Sequence, residues 1–177
     1  MTTSPDATPY IEPWLRGTHA DVPAAGRAVI HALELALEDV KKWTEGLTDA
    51  EIHSQPLGLN SIAFLLRHMA GSTDRILTYA EGDQLSAEQM AVLQGEADAE
   101  GKRKSLAALL AEVESAFRRA AERVRRLAAA DLETPRGVGR KQLPTTLGGA
   151  LIHVADHTMR HVGQVISTAK VLKTLRS

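Results

Sequence analysis

The sequence predicts an all-α protein, a four-helix bundle with an N-terminal arm and short extra helices in its connections. Two features of the 177 residues carry that prediction. The chain is rich in alanine, leucine, glutamate and arginine while aromatic residues make up 3%, a composition that favours helix over strand. Four long segments repeat apolar side chains at the helical period of about 3.6 residues, and no sustained run alternates β-branched residues with polar ones.

Residues 1–20 form the arm and residues 21–177 the bundle. Pro5, Pro9 and Pro13 punctuate the arm, whose Tyr10, Ile11, Trp14 and Leu15 are too apolar for a free tail; the expectation is that it packs across the bundle with Trp14 as anchor. The first long helix is expected from near Asp21, as N-cap with Pro23 in the first turn, to Gly46. Val22, Ala25, Val29, Leu33, Ala36, Val40 and Trp43 form its apolar stripe. His31 lies off that stripe and is expected at the surface.

Thr48–Glu51 fits a capping box for a short helical turn, closed by Gln55-Pro56-Leu57-Gly58, and His53 in this connector receives no role. Asn60 is the expected cap of the second long helix, which stops at Gly82. Its core positions are Ile62, Leu65, Leu66, Met69, Ile76 and Leu77. His68 sits in its most apolar turn. Leaving such a buried group unpaired costs about 1–3 kcal/mol, and either a hydrogen bond or a metal would satisfy it.

Ser86 with Gln89 caps a short exposed segment through about Ala97. The third long helix covers roughly Lys102–Ala129, with Leu106, Leu109, Leu110, Val113, Phe117, Ala120, Val124 and Leu127 as its stripe. Its other face carries Arg118, Arg119, Arg123, Arg125 and Arg126, offset by Glu112, Glu114 and Glu122, and reads as a solvated face laced with ion pairs. Residues 131–144 read as a loop whose Arg136, Arg140 and Lys141 either hold an anionic group of a substrate or thiol or are simply exposed. Thr145 or Thr146 then caps the last helix.

Composition narrows the chemistry. A chain of this size fits one domain that buries a core without disulfides or a structural metal. There is no cysteine, which excludes a disulfide framework, a thiolate zinc site and a cysteine nucleophile. The formal net charge of −1 gives no general attraction to nucleic acid or anionic membrane, and neither is expected as a partner. No apolar run approaches the roughly 20 residues of a membrane span. The N-terminus lacks the layout of a signal peptide, so the expected compartment is the cytoplasm.

The last helix holds the most informative spacing. His153, His157 and His161 recur every four residues, a step that rotates only about 40° on an α-helix and leaves neighbouring Cβ atoms about 5–6 Å apart. Any one of them is more often an ordinary core or surface histidine. The set, with His68 available on a facing helix, points to a metal site of imidazoles and water, an open arrangement suited to zinc or nickel. Between His157 and His161 stands no carboxylate of the kind a His-Glu-x-x-His helix supplies as general base. Gln164 falls on the same face and can orient water or a substrate. Asp156 is placed to pair with Arg160.

The pairing of Asn60-Ser-Ile and Arg67-His68 with His153-Val-Ala-Asp-His157-Thr-Met-Arg-His161-Val-Gly-Gln164 resembles the DinB/YfiT-like superfamily, and the Glu12-Pro13-Trp14-Leu15-Arg16-Gly17 arm extends the resemblance over nearly the whole chain. It implies a four-helix bundle, often a homodimer, with a divalent metal on three histidines. By position these are His68, His157 and His161, which leaves His153 and Gln164 beside the site. The resemblance also implies metal-dependent chemistry on a small-molecule substrate, of the hydrolase or low-molecular-weight-thiol S-transferase type. The alternative is a non-catalytic metal-binding or stress-response bundle.

Overall fold

Each apolar stripe becomes a long helix in the computed structural model of the protein, which describes residues 9–96 and 103–176. These are α1 (Ala24–Thr44), α3 (Ile62–Glu81), α5 (Leu106–Leu127) and α6 (Leu147–Leu175), with the short α2 (Asp49–Ile52) and α4 (Ala87–Gly95) in the connections. Pro5, and the expected helix ends at Ala97 and Lys102, lie outside the described residues. α1 and α3 each pack against both α5 and α6, so the four long helices close a ring around Leu33, Val40, Leu66, Met69, Val113, Val124, Leu151 and Val165. Among the described residues no helix is long and apolar enough to cross a membrane.

Local chemistry sets the helix ends. Ser61, rather than Asn60, caps α3, its Oγ accepting from the Phe64 N–H at 3.2 Å. Thr146 caps α6 by accepting from the Gly149 N–H at 3.0 Å. Both expected capping boxes, at Thr48 and Ser86, are present. Gly82 ends α3 at φ 93°, a conformation that costs glycine no Cβ clash. α1 starts at Ala24 without a side-chain cap, because Pro23, which has no side-chain acceptor, stands at the N-cap, and Asp21, two residues earlier, lies 3.2 Å from Arg125 of α5 instead.

Residues 131–144 hold more structure than a loop. Pro135–Val138 (β1) pairs antiparallel with Leu143–Thr146 (β2), Pro135 opposite Thr146. Gly139 and Gln142 make the turn with positive φ. Strands of four residues are too short to show an alternating pattern in sequence.

Two further expectations are corrected. Trp14 is not the anchor of the arm: it is 61% exposed, its indole N–H donating to Glu12 nearby. Pro13 is the buried residue, and Glu38 of α1 holds the arm by accepting from the Tyr10 hydroxyl and from both Arg16 Nη groups. His31 is buried at 7% exposure, not at the surface. The chain before α1 folds over this side of the helix and brings Thr18 Oγ1 within 3.1 Å of His31 Nε2, widening the covered arc beyond one stripe.

Three of the α5 arginines, Arg123, Arg125 and Arg126, form ion pairs, each with a residue outside α5. Arg123 reaches Asp74 at 2.8 Å and Glu81 at 2.6 Å on α3, and is only 16% exposed.

Candidate metal centre

The i, i+4 step on α6 places His157 and His161 side by side, ring centroids 4.5 Å apart. Packing of α3 on α6 brings His68 to them, its centroid 4.6 Å from that of His161 and 5.2 Å from that of His157. One ring nitrogen from each of the three lies within 4.8 Å of the others. His68 Nε2 and His157 Nε2 are 3.1 Å apart. Two nitrogens bound to one tetrahedral zinc at about 2.0–2.1 Å stand about 3.3–3.4 Å from each other, so the pair is already near that spacing.

Outer contacts fix which nitrogen faces inward. His161 Nδ1–H donates to Gln164 Oε1 at 2.7 Å, leaving Nε2 as its free donor atom. His68 Nδ1–H donates to Glu96 Oε2 at 2.8 Å, which again leaves Nε2 for the cluster. The Phe64 ring stacks on His68 with centroids 5.6 Å apart and planes 13° from parallel. Carboxylate or amide support of the outer nitrogen is the usual arrangement around metal-ligating histidines, because it sets tautomer and ring orientation together.

Electrostatics favour the neutral form of the two imidazoles on α6. Burial, with His161, His68 and His153 close by, pushes His157 down to about 4 from the ordinary value near 6.5. Burial also lowers His161, against the opposing pull of its Gln164 bond. Neutral imidazole is the form that binds metal. The donor set therefore fits a divalent cation: three imidazole nitrogens close together, two of them with tautomers set from outside.

The other residues expected at the site fall differently. His153 is half-exposed, its Nδ1 2.8 Å from Asp156 Oδ1, and its ring touches the cluster only through His157 at 5.3 Å. Asp156 also meets Arg160, at 3.5 Å. The structure does not bring the basic segment to the histidines. Arg136 donates to the carbonyl of Ala80 at 2.6 Å, twelve residues past His68 or about 18 Å along α3 at a rise of about 1.5 Å per residue. Arg140 and Lys141 are exposed at the tip of the hairpin.

The cation beside the cluster is instead Arg160. It lines a groove of about 410 Å³ with Asn60, Gly163, Gln164 and Ser167, on the side of α6 that carries Gln164. Its position directly before His161 is the signal that could have found it.

Glu96 is the residue sequence reading missed. It follows α4, is 6% exposed, and reaches both His68 and Arg75, whose Nη1 donates to Glu96 Oε1 at 2.5 Å. Burial pushes its carboxyl up, but the bonds from His68 and Arg75 outweigh that and leave it below the ordinary carboxylate range.

A second group, His19, His31 and Glu34, lies where the arm meets α1 and α5. Arg125 must donate to His19 Nδ1, at 2.5 Å, so His19 Nε2–H donates to Glu34 Oε1 at 2.7 Å. With both ring nitrogens engaged that way, the lone pair a metal would need already faces a guanidinium. This group ties the arm to the bundle.

A family model described as the DinB superfamily matches residues 32–165, a span that holds His68, Glu96, His157, His161 and Gln164 and leaves out the arm. No curated protein matches the chain.

Proposed function

The chain belongs to the DinB superfamily, and on that premise we propose that it is a metal-dependent enzyme acting on small molecules, of the thiol S-transferase or hydrolase type. His68, His157 and His161 hold the divalent cation, zinc or nickel, and a thiol or water takes the remaining position. The observation that carries this reading is the convergence of three imidazoles with Glu96 and Gln164 already setting two of their tautomers. A bound cation supplies Lewis acidity toward a thiol, a water or a carbonyl oxygen. The chain's own residues do the rest: Gln164 holds His161 and borders the groove, and Arg160 offers that groove a positive charge for an anionic substrate group.

One observation favours the non-catalytic alternative. Glu96 is committed to Arg75 and His68, and Gln164 is a poor proton acceptor, so neither is free to act as a general base. In that reading the metal only ties α3 to α6.

Elemental analysis of purified protein tests the shared part, with one zinc or nickel per chain expected. A screen of thiol transfer and ester or amide hydrolysis, with and without chelator, then separates the readings. Turnover lost on chelation supports the enzyme; a metal that takes up no exogenous thiol, with no chelator-sensitive turnover, would leave the structural role.

A further inference from the structure

α4 buries none of its own side chains and leaves Val92 58% and Leu93 38% exposed, so apolar packing contributes little to its place on α3. Polar tethers hold it instead. Near its start, the Gln89 side-chain amide donates to Asp74 Oδ2 at 2.6 Å and to Thr78 Oγ1 at 2.8 Å. At its end, Glu96 goes inward between Arg75 and His68.

Gly71 makes that entry possible. It sits in the middle of α3, where glycine costs about 1 kcal/mol relative to alanine. A Cβ there would come within 2.4 Å of Glu96 Oε1 and 2.7 Å of Arg75 Nη1. The missing methyl is the space the carboxylate occupies.

We propose that Glu96 is a positioning residue for the metal centre, and that through it metal binding and the docking of α4 on α3 are linked. The inference rests on the metal reading above. Glu96 orients the His68 ring and fixes Nδ1–H, so that Nε2 presents its lone pair to the cluster; Arg75 holds the carboxylate in place from the other side. Linkage makes the effect reciprocal: if docked Glu96 strengthens metal binding by some factor, bound metal strengthens docking by that factor. Loss of such an outer partner typically lowers metal affinity about 10–100-fold.

The test measures zinc affinity by competition with a chromophoric chelator, and amide exchange over residues 87–96 with and without zinc. Glu96→Ala should bind zinc about 10–100-fold more weakly than the unmodified chain, with Glu96→Gln between them because its amide oxygen still accepts from His68. Gly71→Ala, which displaces the carboxylate without altering it or any imidazole, should weaken binding in the same direction. In the unmodified chain zinc should slow exchange in α4 by up to the same factor, and in Glu96→Ala it should not. An unmodified chain that binds no zinc overturns the metal reading and this inference together. An unmodified chain that binds zinc, with Glu96→Ala and Gly71→Ala binding within twofold of it, overturns this inference alone. Exchange in α4 that ignores zinc overturns the linkage.

Discussion

Protons compete with metal for imidazole nitrogen, and the three ligands should not titrate alike. For an imidazole of ordinary pKa near 6.5, protonation at pH 5 weakens the apparent metal affinity by about 1.5 log units per ligand, or about 4.5 for three. His157 departs from that. Held down to about 4 by burial and its histidine neighbours, it is still neutral at pH 5 and contributes less than about 0.1 log unit. The loss between pH 8 and pH 5 should therefore fall well short of that three-ligand figure, and the lowered His161 reduces it further. The sign follows from the same direction: a group with depressed pKa resists proton competition, so binding persists further into acid than for free histidines. Titrating zinc affinity from pH 8 to pH 4.5, and counting protons released per zinc by calorimetry in two buffers, checks it. A loss near 4.5 log units, with close to three protons released at pH 5.5, would refute the reasoning, because all three imidazoles would then be ordinary.

Three other outcomes follow from the same geometry. His68→Ala, His157→Ala and His161→Ala should each abolish stoichiometric metal binding while His153→Ala keeps most of it, read by elemental analysis; metal loss in His153→Ala as complete as in His157→Ala would make His153 a ligand. Chelated protein should remain helical by circular dichroism and melt at a lower temperature, since the ring of apolar stripes does not depend on the metal; a random coil after chelation would mean the metal builds the fold. Gly26→Ala should destabilise by about 1–2 kcal/mol, because the new methyl would stand 2.3 Å from Ala128 Cβ and the overpacking penalty exceeds the gain in helix propensity; an unchanged or higher melting temperature would contradict it.

What could be read in the sequence was what local periodicity encodes. The stripes of α1, α3, α5 and α6 are amphipathic repeats, and the His157, His161 and Gln164 constellation is a matter of i+4 and i+3 steps on one helix. His68 was legible as an ionisable group in an apolar turn in need of a partner. Contacts formed only on folding were not. Glu96 lies 28 residues from His68, after a short helix with no apolar stripe, and nothing in its neighbourhood marks it as buried. His31 is covered by chain that precedes its helix, and Arg123 turns toward Asp74 and Glu81 only because α3 packs there. Arg136 read as a cation for a ligand because its charge was visible and its capture by the Ala80 carbonyl was not.

The charge around the centre bears on what would complete it. His157 is neutral and brings nothing to offset a dication. Glu96 is the one carboxylate in contact with a member of the triad among the described residues, and Arg75 is paired to it at 2.5 Å, so its charge is already shared. Gln164 is neutral, and Arg160, which lines the adjoining groove, is paired with Asp156 at 3.5 Å. A histidine-only set with a compensated outer carboxylate leaves the charge of a divalent cation largely intact. An exchangeable position in such a field favours an anionic occupant, a thiolate or a carboxylate, over a neutral one. That preference follows from the residues rather than from the family, and it gives the thiol-dependent form of the proposed activity its physical support.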